Sequence, residues 1–96
     1  MRGRKDVVTT IVSHYEFLVG AKNKREEEFI ESYPVLPMDI PASKESSRLF
    51  HQCKTEGITL NASDLWIAGI CKAKRATLHT LDSDFKKIPG LEVQQY

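Results

Sequence analysis

Three carboxylates in this chain, Asp64, Asp82 and Asp84, have the type and placement to hold a hard divalent cation, and a fourth, Glu16, reads on its own as a boundary glutamate reaching solvent. Asp64 opens an apolar helical stretch in Asn61-Ala62-Ser63-Asp64-Leu65-Trp66-Ile67-Ala68. Asp82 and Asp84 follow a short strand, Thr77-Leu78-His79-Thr80. An acid at a helix N-terminus and two beyond a strand's C-terminal edge can converge on one point. In open α/β sheets that edge is where ligands bind. Clustered carboxylates offer hard oxygen donors, which suit Mg²⁺ or Mn²⁺. Such a cation polarises a phosphoryl oxygen and activates water, and paired ions stand roughly 4 Å apart. It also relieves the repulsion among the acids. His14 and His79 flank two of the acids, but magnesium prefers oxygen, so neither is assigned as a ligand.

The elements that must position these acids follow from the hydrophobic spacing. Asp6 to Thr9 reads as a short strand. Thr9 or Thr10 then caps a helix from about Ile11 to Ala21. Ile11, Tyr15, Leu18 and Val19 recur at helical spacing, which predicts that they face the core. Glu16 sits beside that stripe, with Val12 and Gly20. Lys22-Asn23-Lys24-Arg25 reads as a basic turn and Glu26 to Ser32 as a helix ended by Pro34, with a solvated charged face. Val35 to Met38 reads as a strand near a sheet edge or strand end. Pro41 suits the first turn of a helix from about Ala42 to Glu56, which Gly57 ends. Leu49, Phe50 and Cys53 lie on its apolar side, and His51 reads as a surface histidine. Asn61-Ala62-Ser63 caps the Asp64 helix. That helix is apolar over a wide arc, and Lys72, Lys74 and Arg75 suit its C-terminus. Asp84 to Lys87 reads as a helical turn with Phe85 inward. Pro89-Gly90 then leads to a last strand, Leu91 to Val93. Strands alternating with helices predict an α/β fold, a mainly parallel sheet with helices on both faces. Taken alone, Glu16 also reads as a boundary glutamate reaching solvent, and Asp64 as an anion favoured by the helix dipole.

Four runs together carry a resemblance: Asp64-Leu65-Trp66-Ile67-Ala68, Ala76-Thr77-Leu78-His79-Thr80, Leu81-Asp82-Ser83-Asp84-Phe85 and Ile88-Pro89-Gly90-Leu91. A fifth lies upstream, from Val8 to Ala21, as a strand and then a helix with a glutamate one turn in. In order, spacing and residue type the chain resembles the PIN-domain ribonucleases, and within them the VapC-type toxins of toxin–antitoxin pairs. The resemblance implies a metal-dependent endoribonuclease that hydrolyses RNA, with Mg²⁺ or Mn²⁺ held by Glu16, Asp64, Asp82 and Asp84. It also implies an antitoxin partner similar to VapB. The family begins with a strand that ends in an aspartate, and residues 1–96 contain no such segment. Asp6 is not its replacement. The expectation is therefore an N-terminally truncated, single PIN-like domain. Its missing central strand would leave backbone groups unpaired and core exposed, which predicts a homodimer with an apolar interface. The alternative is a catalytically impaired PIN remnant that binds protein or RNA.

Composition bounds these readings. A chain of 96 residues makes at most one domain with a modest core. A formal charge of +1 gives no strong overall field, so RNA contact must use local patches. No apolar run approaches a membrane span, and the basic start is not followed by a signal-peptide core. Cys53 and Cys71 form no CxxC pair and lie among apolar neighbours. They read as buried free thiols of a reducing cytoplasm.

Overall fold

The computed structural model describes residues 8–80 and 83–95, in two compact units, 8–37 and 38–95. The first unit holds β1 (Thr9–Thr10), α1 (Ile11–Gly20), α2 (Lys24–Glu31) and β2 (Val35–Leu36). β1 and β2 are parallel, Thr9 opposite Val35 and Thr10 opposite Leu36. Parallel neighbours need a long crossover, and α1 and α2 supply it. Thr10 caps α1 as expected: its Oγ1 accepts the Ser13 N–H at 3.0 Å. α2 starts earlier than the sequence reading had it. Asn23 Oδ1 accepts the Glu26 N–H at 3.0 Å, while Glu26 Oε1 accepts the Lys22 N–H at 2.8 Å. This reciprocal cap draws Lys24 and Arg25 out of the expected turn and into the helix.

The stripe on α1 does not face a core. Ile11, Tyr15 and Val19 are exposed, at 41%, 66% and 69%, and α1 has no buried residue. The two-residue strands of this unit offer little surface to cover a helix. What packs against α2 is instead an aromatic chain. Phe17 meets Phe29 with ring centres 5.9 Å apart, and Phe29 meets Tyr33 edge-on at 5.5 Å.

The second unit holds α3 (Ile40–Thr55), α4 (Ala62–Ala73), β3 (Leu78–Thr80), a 3₁₀ helix (Ser83–Lys87) and β4 (Val93–Gln95). Asp39 caps α3, accepting the Ala42 N–H at 3.0 Å, and its other oxygen pairs with Lys74 Nζ at 3.0 Å. Pro41 occupies the first turn, where a missing N–H costs nothing. Gly57 follows α3 at a left-handed φ of +74°. β3 and β4 are parallel, Leu78 opposite Val93 and Thr80 opposite Gln95. β4 begins two residues later than expected, because the turn at Pro89-Gly90 extends to Leu91, whose N–H reaches Ile88 O at 3.4 Å. The α/β class and the parallel pairing agree with the sequence reading.

The core of this unit is the α3–α4 contact. Ala42, Leu49 and Cys53 of α3 are buried, as are Leu65, Ile67, Ala68, Ile70 and Cys71 of α4. At its centre the helices come very close. A Cβ on Gly69 would lie 2.7 Å from Ser46 N and 2.8 Å from Ser46 Cα, so only glycine fits. Ser46, itself buried, donates from Oγ to Leu65 O at 3.1 Å. Glycine inside a helix costs about 1 kcal/mol relative to alanine, and the close approach explains its use. Cys53 and Cys71 are buried free thiols, as expected. Burial pushes the Cys71 thiol up to about 11, from an ordinary 9.0.

Two measurements check this packing. Gly69→Ala should destabilise the chain by about 3 kcal/mol, since the obstacle is backbone that no rotamer change removes; a melt within about 0.5 kcal/mol of the parent would refute the contact. The raised Cys71 value makes stability fullest below pH 9.0 and lost as pH rises toward about 11, because the unfolded thiol ionises first. Stability curves from pH 8 to 11 should show this fall in the parent and less of it in Cys71→Ala.

Candidate active site

Asp64 is held by α4. Asn61 Oδ1 accepts the Asp64 N–H at 2.9 Å and the Ser63 hydroxyl at 3.0 Å. This cap fixes where the helix begins and sets Asp64 in its first turn, half-buried, where the helix dipole favours an anion. Behind it, α4 is buried from Ile67 to Cys71, so the acid stands on a rigid element.

Asp84 is exposed on the 3₁₀ helix. Phe85 and Ile88, at 5% and 3% exposure, pin that turn into the core and so locate Asp84. Asp84 Oδ1 lies 3.2 Å from Lys87 Nζ, in an exposed pair that contributes little to stability. Glu16 is exposed on α1, in the first unit. Asp82 lies outside the described residues. Among the described residues, no three His, Cys, Asp or Glu side chains gather into a group that could hold a metal. The convergence expected of Glu16, Asp64 and Asp82 thus involves a residue that the structure does not describe.

The donor chemistry fits a hard cation. Glu16, Asp64 and Asp84 present carboxylate oxygens and no sulfur, and each retains access to solvent. The sequence reading missed Asp39. An aspartate followed three residues later by Ala42, with Pro41 between them, is a capping signal. Its pairing with Lys74, at the far end of α4, had no local signal.

The profile of the PIN domain matches residues 2–91. The chain belongs to the PIN-domain family. The structure also aligns with a member of the VapBC family of toxin–antitoxin systems from Mycobacterium tuberculosis, at 27% identity and a TM-score of 0.79, over 94% of this chain and 82% of that one. A VapBC complex from Rickettsia felis bound to a promoter DNA fragment matches at 21% identity and 0.81, over 93% of this chain and 74% of that one. A VapBC complex from nontypeable Haemophilus influenzae matches at 22% and 0.79, over 93% and 73%. The last two likenesses speak for the fold alone. No curated protein matches the chain. The PIN fold, of the kind found in VapBC structures, is therefore the architecture of this protein. Among the described residues no helix is long and apolar enough to cross a membrane.

Because Asn61 positions Asp64, Asn61→Ala should lower stability by about 1 kcal/mol, while Asn61→Asp retains the cap. Equal losses in the two variants, measured by urea unfolding, would show that the cap does not organise this end of α4.

Proposed function

We propose that this PIN-domain protein is a metal-dependent endoribonuclease of the VapC toxin class, acting through Glu16, Asp64, Asp82 and Asp84. The observation that carries the reading is Asp64, held by the Asn61 cap in the first turn of a buried helix within a PIN fold. These four acids would hold Mg²⁺ or Mn²⁺. A divalent cation held by them supplies polarisation of the phosphoryl oxygen and acidification of water. The chain contributes the placement. The capped α4 terminus holds Asp64, and the Phe85 and Ile88 anchors hold the turn that bears Asp84. Two protein partners belong to the reading. One is an antitoxin, since the structural likenesses are toxin–antitoxin complexes. The other is a second copy of the chain, supported by the exposed apolar residues Ile11, Tyr15 and Val19 of α1.

The test is cleavage of single-stranded RNA by the purified protein, with and without Mg²⁺ or Mn²⁺. Asp64→Asn and Asp82→Asn should each slow cleavage by about 100-fold or more, the scale of losing one charge-stabilising group. Their melting temperatures in metal-free buffer should be unchanged or slightly raised, because each removes one of several repelling acids. A chain that binds RNA and metal but never cleaves would be a binding module instead. Melting temperatures that fall in both variants would make these acids structural.

A further inference from the structure

The end of α4 remote from Asp64 carries a second feature. A pocket of about 280 Å³ opens there, with Lys72, Arg75, Gly90 and Glu92 among its walls. Gly90 leaves room for the lysine: a Cβ on it would meet Lys72 Nζ at 3.0 Å. Glu92 is the one acid of the wall, and its Oε1 accepts the Thr77 hydroxyl at 2.6 Å, so the carboxylate is already engaged. Two cations against one engaged carboxylate leave the pocket net positive. Among the described residues neither Lys72 nor Arg75 forms an ion pair.

Neither cation is needed to close the helix. Ile70 O accepts the Lys74 N–H at 3.1 Å, Cys71 O accepts the Ala76 N–H at 2.8 Å and Lys72 O accepts the Arg75 N–H at 3.2 Å. Arg75 itself stands at the left-handed position of this turn, with φ +54°, where glycine is the usual occupant. A side chain there carries backbone strain, and such strain collects at functional positions. The backbone would be better served by glycine, yet the sequence places a guanidinium there, and that group matches phosphate oxygens in a two-pronged way.

We propose that Lys72 and Arg75 form a subsite for a backbone phosphate of the nucleic-acid strand. Its Lys72 lies about 12 Å along α4 from Asp64, at 1.5 Å per residue, a span of a few nucleotides. The strand would then be gripped at one end of the helix and presented to the acids at the other. The inference rests on the nuclease reading for its ligand, a nucleic-acid strand, and not on turnover.

The test is binding of a fluorescein-labelled single-stranded RNA in EDTA, followed by anisotropy across a salt series. The Lys72→Gln/Arg75→Gln variant should bind more weakly, and its log–log salt slope should be shallower by about 0.7, the value for one phosphate contact on a single strand. A charge-matched Lys44→Gln/Lys54→Gln variant, altered on exposed positions of α3, should keep the parent slope. Arg75→Gly should melt higher than the parent while binding RNA more weakly. Equal effects in the two double variants, or a parent that does not bind RNA, would overturn the subsite. So would an Arg75→Gly that binds as the parent does. Titration with inorganic phosphate, read by amide shifts at Ala76, Gly90 and Leu91, separates the sources. Shifts that RNA reverses support a backbone phosphate, and shifts that RNA leaves in place assign the pocket to a free phosphate and overturn it. RNA binding through Lys72 and Arg75 without cleavage would refute the nuclease reading and leave the subsite standing.

Discussion

The close approach of α3 and α4 at Ser46 and Gly69 is the constraint on which the second unit depends. The backbones come so near that no side chain fits on Gly69, and Ser46 spans the contact through its bond to Leu65 O. Leu49 and Ile70 are fully buried around this crossing. Both ends of α4 inherit their positions from it. At one end the Asn61 cap presents Asp64. At the other, the left-handed turn at Arg75 closes the helix and leads into β3. A looser crossing would let α4 shift along its axis and would move the acid and the cations together.

The polarity of α4 is used at both ends. Its N-terminal turn, with unpaired N–H groups, favours the Asp64 carboxylate, and its C-terminal end favours cations. A net charge of +1 thus conceals a separated distribution. An acidic site for a metal and a basic surface for phosphates are both needed to act on a nucleic-acid backbone. They can coexist in a nearly neutral chain because salt screens charges about 8–10 Å apart or more.

Much of this was legible in the residues. Thr10, Asn61 and Pro41 announce their helices because capping and first-turn chemistry is local. Phe85 was read inward correctly, since it is the apolar residue of a polar turn. The start of α2 was misplaced although Asn23 and Glu26 stand in capping-box spacing, because a run of charges masked it. The burial of Ile11, Tyr15 and Val19 was expected from periodicity alone. Periodicity shows that a face is apolar and says nothing of what covers it, and in this chain that face is exposed. Gly69 gives a visible signal, a glycine within an apolar helix, but its partner Ser46 lies in another helix and has no local signature. The Asp39–Lys74 pair is illegible for the same reason. Of the site, the residue types and their places on elements could be read, whereas the distances among them depend on tertiary packing.

The central claim is that Glu16, Asp64, Asp82 and Asp84 make one cation site. Paramagnetic broadening of amide resonances by substoichiometric Mn²⁺ tests it most directly. The account predicts that the signals of residues around positions 16, 64 and 82–84 vanish first and together, and that Mg²⁺ restores them. Broadening centred on the acidic stretch Glu26-Glu27-Glu28 of α2, with the Asp64 region unaffected, would contradict it.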